Sequence, residues 1–163
     1  NWLRSYSEYA GDVAAWWGAR APDWSELRAE AIGVLQREER LQQIVKLVGP
    51  DVLPDSQRLI LFIAELLKDG FLTQSAFDEK DMYCSPERQM ALLRMIMALY
   101  RKGREAIQAG APLLKVQKLP SVPLLMRAKE ALGNDELAAL ADLGERLGRE
   151  LDALADERRK PGP

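Results

Sequence analysis

Residues 59–67 read Leu-Ile-Leu-Phe-Ile-Ala-Glu-Leu-Leu. A helix of that composition is apolar almost all round and has no broad face to give to water, so other helices must enclose it. The run is therefore expected to form the buried centre of a helical domain. A turn at Asp51-Val52-Leu53-Pro54-Asp55-Ser56 leads into it, with Pro54 suited to a first-turn position where its missing N–H costs nothing. Asp69-Gly70 ends it.

The flanking segments supply the enclosing helices. Trp2 to Arg20 carries Tyr6, Tyr9, Val13 and Trp17 at helical spacing and is stopped by Pro22. Asp23 with Glu26 has the form of a capping pair. The stripe Leu27, Ala31, Val34, Leu35, Leu41, Val45 and Val48 follows, as far as Gly49-Pro50. Glu26, Glu30, Glu38 and Glu39 interleave with Arg28, Arg37 and Arg40, which reads as a solvated, salt-bridged face and not as a metal site. Ser85-Pro86-Glu87 combines a cap, a first-turn proline and an early acid. The inner stripe behind it is Leu92, Leu93, Ile96, Leu99, Tyr100 and Ile107, with Met90, Met95 and Met97 as packing filler. Beyond Gly110-Ala111-Pro112, Leu113–Leu119 and Leu124–Leu132 read as short helices. Asn134 is placed to cap a last one, with Leu137, Leu140, Leu143, Leu147, Leu151 and Leu154 inward. No strand pattern appears. The fold class is all-α, an irregular bundle of about six helices. Residues 1–163 form a single domain whose tail, 158–163, frays.

Composition removes several functions. Net charge is −2 and histidine is absent, so nucleic-acid binding has no basic surplus to rest on, and His-based catalysis and His-containing zinc sites are excluded. No apolar run reaches membrane-spanning length. The lone Cys84 has no histidine to activate it and reads as a small packed hydrophobe. No phosphate loop, G-x-G-x-x-G or G-x-S-x-G motif occurs. The chain holds no complete catalytic constellation and is not expected to act as an enzyme alone. It starts at Asn1 and not at a methionine, as an excised piece of a longer protein would.

One connection does carry binding chemistry. Phe71 to Cys84 holds Phe71 and Phe77, the base-edge donors and acceptors Gln74 and Ser75, and the small Ala76. Two aromatic faces can receive a flat apolar ligand. The blander reading, which composition alone favours, is that Phe71 and Phe77 pin the loop to the core.

The stretches Leu41-Gln42-Gln43-Ile44-Val45-Lys46-Leu47-Val48-Gly49-Pro50-Asp51, Phe71-Leu72-Thr73-Gln74-Ser75-Ala76-Phe77 and Asp81-Met82-Tyr83-Cys84, with Asn1-Trp2 and Ser5-Tyr6-Ser7, resemble the C-terminal domain of the catalytic A subunit of V-type and archaeal-type rotary ATPases. Ala76-Phe77 is closer to the bacterial and archaeal pattern than to the eukaryotic one. The resemblance covers residues 1–110 best and leaves 111–157 as additional helices. It implies that Phe71 and Phe77 wall an adenine, with Ala76 giving the ring room and Gln74 at its edge. Thr73 and Ser75 replace amides common in the family. It implies that Asp51, Val52, Leu53 and Asp55 meet a central rotor shaft. It implies B subunits as neighbours, and ATP or ADP with magnesium bound by the full-length protein but not by this piece. It places the domain in a cytoplasmic headpiece peripheral to the membrane, with neither nucleic acid nor membrane insertion. The cysteine of eukaryotic relatives matching Cys84 can pair with one in the phosphate loop, which this chain lacks. Two other readings stand beside it: a free-standing helical protein-interaction module, using the methionine-rich or last helix, and a small-molecule-binding bundle.

Overall fold

The computed structural model describes residues 10–73 and 84–159. Among these, seven helices follow one another: α1 (Ala10–Arg20), α2 (Trp24–Val48), α3 (Asp55–Leu67), α4 (Pro86–Gln108), α5 (Leu113–Gln117), α6 (Ser121–Ala131) and α7 (Leu137–Arg159). A 3-10 turn, Pro50–Val52, joins α2 to α3, and a π-helical turn, Lys68–Leu72, extends α3. There is no strand among the described residues, so the architecture is all-α.

Helix α4 takes the centre. It packs against α7, α3, α2, α6 and α5, and Leu92, Leu93, Ile96, Leu99 and Tyr100 are buried along it. Met90, Met95 and Met97 are buried with them, fillers of the core as their flexible side chains suit. Helix α3, expected at the centre, is buried on one side through Leu59, Ile63, Ala64, Leu66 and Leu67. Ile60, Leu61 and Phe62 keep partial exposure. Its hydrophobic run is thus wider than the face its neighbours cover.

Local signals held where no distant partner competed. Ser85 caps α4, its Oγ accepting the Arg88 N–H at 3.2 Å, and Pro86 occupies the first turn. Elsewhere tertiary partners took the expected caps. Asp23 makes no cap bond, because its carboxylate is held by Arg94. Pro54 precedes α3 in extended conformation and does not sit in its first turn. Asn134 stands three residues before the start of α7, and its Oδ1 accepts the Ser85 N–H at 2.8 Å. Leu137, expected inward, is exposed, while Leu140, Leu143, Leu147, Leu151 and Leu154 face the core. Helix α6 starts at Ser121, earlier than its leucines suggest. The Glu150 carboxylate of α7 accepts both the Ser121 N–H and its Oγ–H at 2.9 Å, placing a negative charge on the helix N-terminus.

Helix α1 is tied down by aromatics. Trp17 stacks on Trp24 at 5.8 Å between ring centroids, and meets Trp16 edge-on at 5.0 Å. The Ala21 N–H donates to Trp17 O at 2.7 Å, so the chain turns before Pro22 with its backbone satisfied. Trp2, Tyr6 and Tyr9 lie outside the described residues.

Candidate functional site

Two places bear on function, one at each end of α3. The first is the turn Lys68–Leu72. At the end of α3 the backbone widens, and the Thr73 N–H reaches back to Lys68 O at 2.7 Å. Such π turns recur at functional sites. Lys68 is fixed by Glu38, its Nζ at 2.8 Å from Oε2. Glu38 is buried, not part of a solvated face as its neighbours suggest, because α3 delivers Lys68 beside it. Phe71 follows, half-buried and packed against the core, with part of its surface left open. Its pinning role and a ligand-facing role are compatible. Gln74, Ala76 and Phe77 lie outside the described residues.

The chain re-enters the described region at Cys84, which is half-buried and not the fully packed hydrophobe expected. The Cys84 carbonyl accepts from Gln89 Nε2 at 3.5 Å. Behind Ser85, the Arg88 side chain is completely buried and donates from Nη2 to Lys129 O. Nothing in the helical pattern marks Arg88 as an inward residue. Lys129, equally unmarked, is buried in α6 and donates from Nζ to Asp69 O at 3.4 Å.

The second place is the far end of α2. The core stripe stops at Leu41; the last turns of α2 run past it. Val48, expected inside, is 54% exposed, beside Leu47 at 85% and Val52 at 66%. Together with Ile44 they make an apolar tip on a helix that is otherwise charged outside. The turn is shaped by Gly49 at φ 83°, ψ 161°, a conformation essentially restricted to glycine. Of the shaft-contact candidates, Asp51 and Val52 point to solvent. Leu53 does not: it is buried, so a partner at this turn meets Val52 and not Leu53. Asp55 is half-buried and engaged, accepting the Leu113 N–H at 2.8 Å and lying 3.5 Å from Arg58. Leu47 went unread in the sequence because it falls outside the inner stripe. Only the overhang of α2 shows that it is open.

Near its N-terminal end, α2 is locked to α4 by ion pairs. Arg94 holds Asp23, and that hydrogen bond is the main reason the Asp23 carboxyl sits below its ordinary range. Arg101 holds Glu30 and Glu26, each at 2.8 Å from Nη2. Among the described residues no group of acids or cysteine is placed to hold a metal ion, and no helix is long and apolar enough to cross a membrane.

Both ends of α3 fall within a match to a known family. Residues 14–117 match the family model described as the C-terminal domain of V and A type ATP synthase. The chain is 39% identical over 158 residues to the A subunit of the A-type ATP synthase of Methanopyrus kandleri, covering 96% of this chain and 27% of that protein. It is 41% identical over 143 residues to the A subunit of the Thermococcus onnurineus A-type ATP synthase, covering 87% and 24%. Against the A subunit of a Methanococcus maripaludis A-type ATP synthase it is 53% identical over 112 residues, covering 68% and 19%. The chain thus spans about a fifth to a quarter of the length of these curated relatives.

Proposed function

The chain belongs to the family of the C-terminal domain of V and A type ATP synthase, and on that premise we propose that it joins nucleotide binding to shaft rotation in a catalytic A subunit. Phe71 and Phe77 wall the adenine, Ala76 leaves room for the ring, and Gln74 faces its edge. The phosphates and magnesium are held by a nucleotide-binding domain outside this chain, next to neighbouring B subunits. The apolar tip touches the central shaft. The parent headpiece sits on the cytoplasmic side, peripheral to the membrane, and drives or is driven by ion transport.

The observation that carries this reading is the placement of α3. It is one helix of 13 residues with a buried face, about 20 Å long at 1.5 Å per residue. Phe71 follows its last turn and Val52 lies just before its first. A packed helix transmits displacement because interiors close-packed on one side do not deform smoothly. Movement of the aromatic turn toward a base is therefore carried to the tip. Charge contributes less there than shape, since Asp55 is already engaged within the domain and Asp51 is the one acid of the turn left exposed. The contact rests on Leu47, Val48 and Val52.

A free-standing interaction module loses its proposed surface: Met90, Met95 and Met97 lie in the core, as do the leucines of α7 from Leu140 to Leu154. The test is a reconstituted rotary headpiece carrying Leu47→Ser with Val52→Ser in the full-length protein. Both residues are exposed, so folding is spared. Torque and the coupling of ATP turnover to rotation should fall while ATP affinity holds. Unchanged coupling overturns the shaft contact.

A further inference from the structure

The connection that leaves α3 and returns at α4 has two feet, and both rest on one short segment, Lys129–Asn134. At the outgoing foot, Lys129 Nζ donates to Asp69 O at 3.4 Å, two residues before Phe71. At the returning foot, Asn134 Oδ1 accepts the Ser85 N–H at 2.8 Å. One turn into α4, Arg88 Nη2 donates to Lys129 O. The three contacts join residues 41 to 60 positions apart in sequence. Arg88 and Lys129 are both buried, which is expensive for cations unless hydrogen bonds offset it. Two buried cations that each donate to a backbone carbonyl of a neighbouring element are an unusual way to close a helix junction, where apolar side chains would serve stability as well. Lys129 and Asn134 also lie beyond residue 117, where the family match ends.

We infer that Lys129 and Asn134 form a clasp that positions the aromatic turn for the nucleotide base. The inference rests on the base-wall reading above. The clasp touches no ligand. It acts through Asp69 and Ser85, fixing the direction from which Phe71 leaves α3 and the point where the connection ends. The end of α6 thereby becomes part of the nucleotide response: a shift of the Lys129–Asn134 segment moves both feet together.

The test compares ligands with and without a base, using the full-length protein in the assembled headpiece. Asn134→Ala removes the acceptor at an exposed position, and Asn134→Asp keeps it. Lys129→Met removes the ammonium and retains the stem, leaving the carbonyl that Arg88 uses. Losing either contact should weaken ATP and ADP binding about three- to ten-fold, as loss of one positioning hydrogen bond does. Pyrophosphate binding should stay as in wild type, Asn134→Asp should bind ATP normally, and the Asn134 variants should melt within about 4 °C of wild type. The inference is overturned if Asn134→Ala leaves ATP affinity unchanged, or if it weakens ATP and pyrophosphate alike. Phe77→Ala in the same assay separates the two levels. If it weakens ATP while Asn134→Ala and Lys129→Met do not, the clasp fails and the base wall stands. If no variant, Phe77→Ala included, alters ATP binding, the base wall fails and the clasp with it.

Discussion

Arg94 forks onto Asp23, its Nε and Nη2 meeting the two carboxylate oxygens at 2.7 and 2.6 Å. Seven residues further along both helices, Arg101 Nε meets Glu30 at 2.9 Å. Each pair is separated by 71 positions, so α2 and α4 run in the same direction in fixed register. Bidentate pairs are the stronger kind of surface ion pair, but these side chains are partly open to water, Asp23 at 39% and Arg94 at 49%. After that discount, Asp23→Asn should destabilise the domain by about 0.5–1 kcal/mol near neutral pH.

The same pair sets a pH dependence of known sign. The hydrogen bond from Arg94 holds the Asp23 carboxyl below 3.8 in the folded domain. A lowered carboxyl pKa contributes stability above the unfolded value, and that contribution is lost as pH falls through the folded value. Denaturant melts of wild type and Asp23→Asn should therefore differ at pH 6 and converge as the pH falls through the lowered Asp23 value. A gap that widens on acidification would contradict the assignment.

At Gly103, neighbouring side chains come close to α4. A Cβ there would stand 3.2 Å from Val116 Cγ1 and 3.5 Å from Leu59 Cδ1. Alanine is worth about 1 kcal/mol more than glycine inside a helix. Overpacking costs about 1–3 kcal/mol. Val116 and Leu59 are fully buried and have little room to retreat. Gly103→Ala should accordingly be destabilising overall, and a thermal melt that rises would show that α5 can move aside.

The isolated chain should not turn over ATP and should bind it poorly. It lacks the phosphate loop, lysine and metal-binding hydroxyl that hold the phosphates. Stacking on a base gives about 1–3 kcal/mol, against roughly 4–15 kcal/mol of translational and rotational freedom lost on binding. Calorimetry should show only millimolar affinity or weaker. Magnesium-dependent hydrolysis that survives repurification would sink this expectation.

The helices were legible because their signals are local. Apolar spacing in α2, α4 and α7 picked out Leu27, Ile96 and Leu147 as core residues, and Ser85-Pro86 placed the start of α4. What escaped depends on partners far along the chain. Asp23 has the form of a cap until Arg94 arrives, and Glu38 the form of a solvated acid until Lys68 does. Ser121 opens a helix earlier than its apolar pattern suggests because Glu150 supplies the cap. At the candidate site, the sequence singled out Phe71 and the turn at Asp51, but not their context. The π turn has no composition signature, and Arg88 and Lys129 are charged residues whose burial no periodicity announces. Val48 lies open where its stripe suggests burial because α2 outruns the core, and Leu53 is buried where its turn suggests contact.

The central claim, that Phe71 and Phe77 wall the base, is tested most directly by titrating the full-length protein with ATP and with pyrophosphate. Phe77→Ala should weaken ATP and ADP together and leave pyrophosphate unchanged, the loss falling near the about 1–3 kcal/mol of a base stack. Phe71→Ala should do the same, with a lower melting temperature because its ring also packs on the core. If both variants melt like wild type and bind ATP equally well, the base lies elsewhere and the account is wrong.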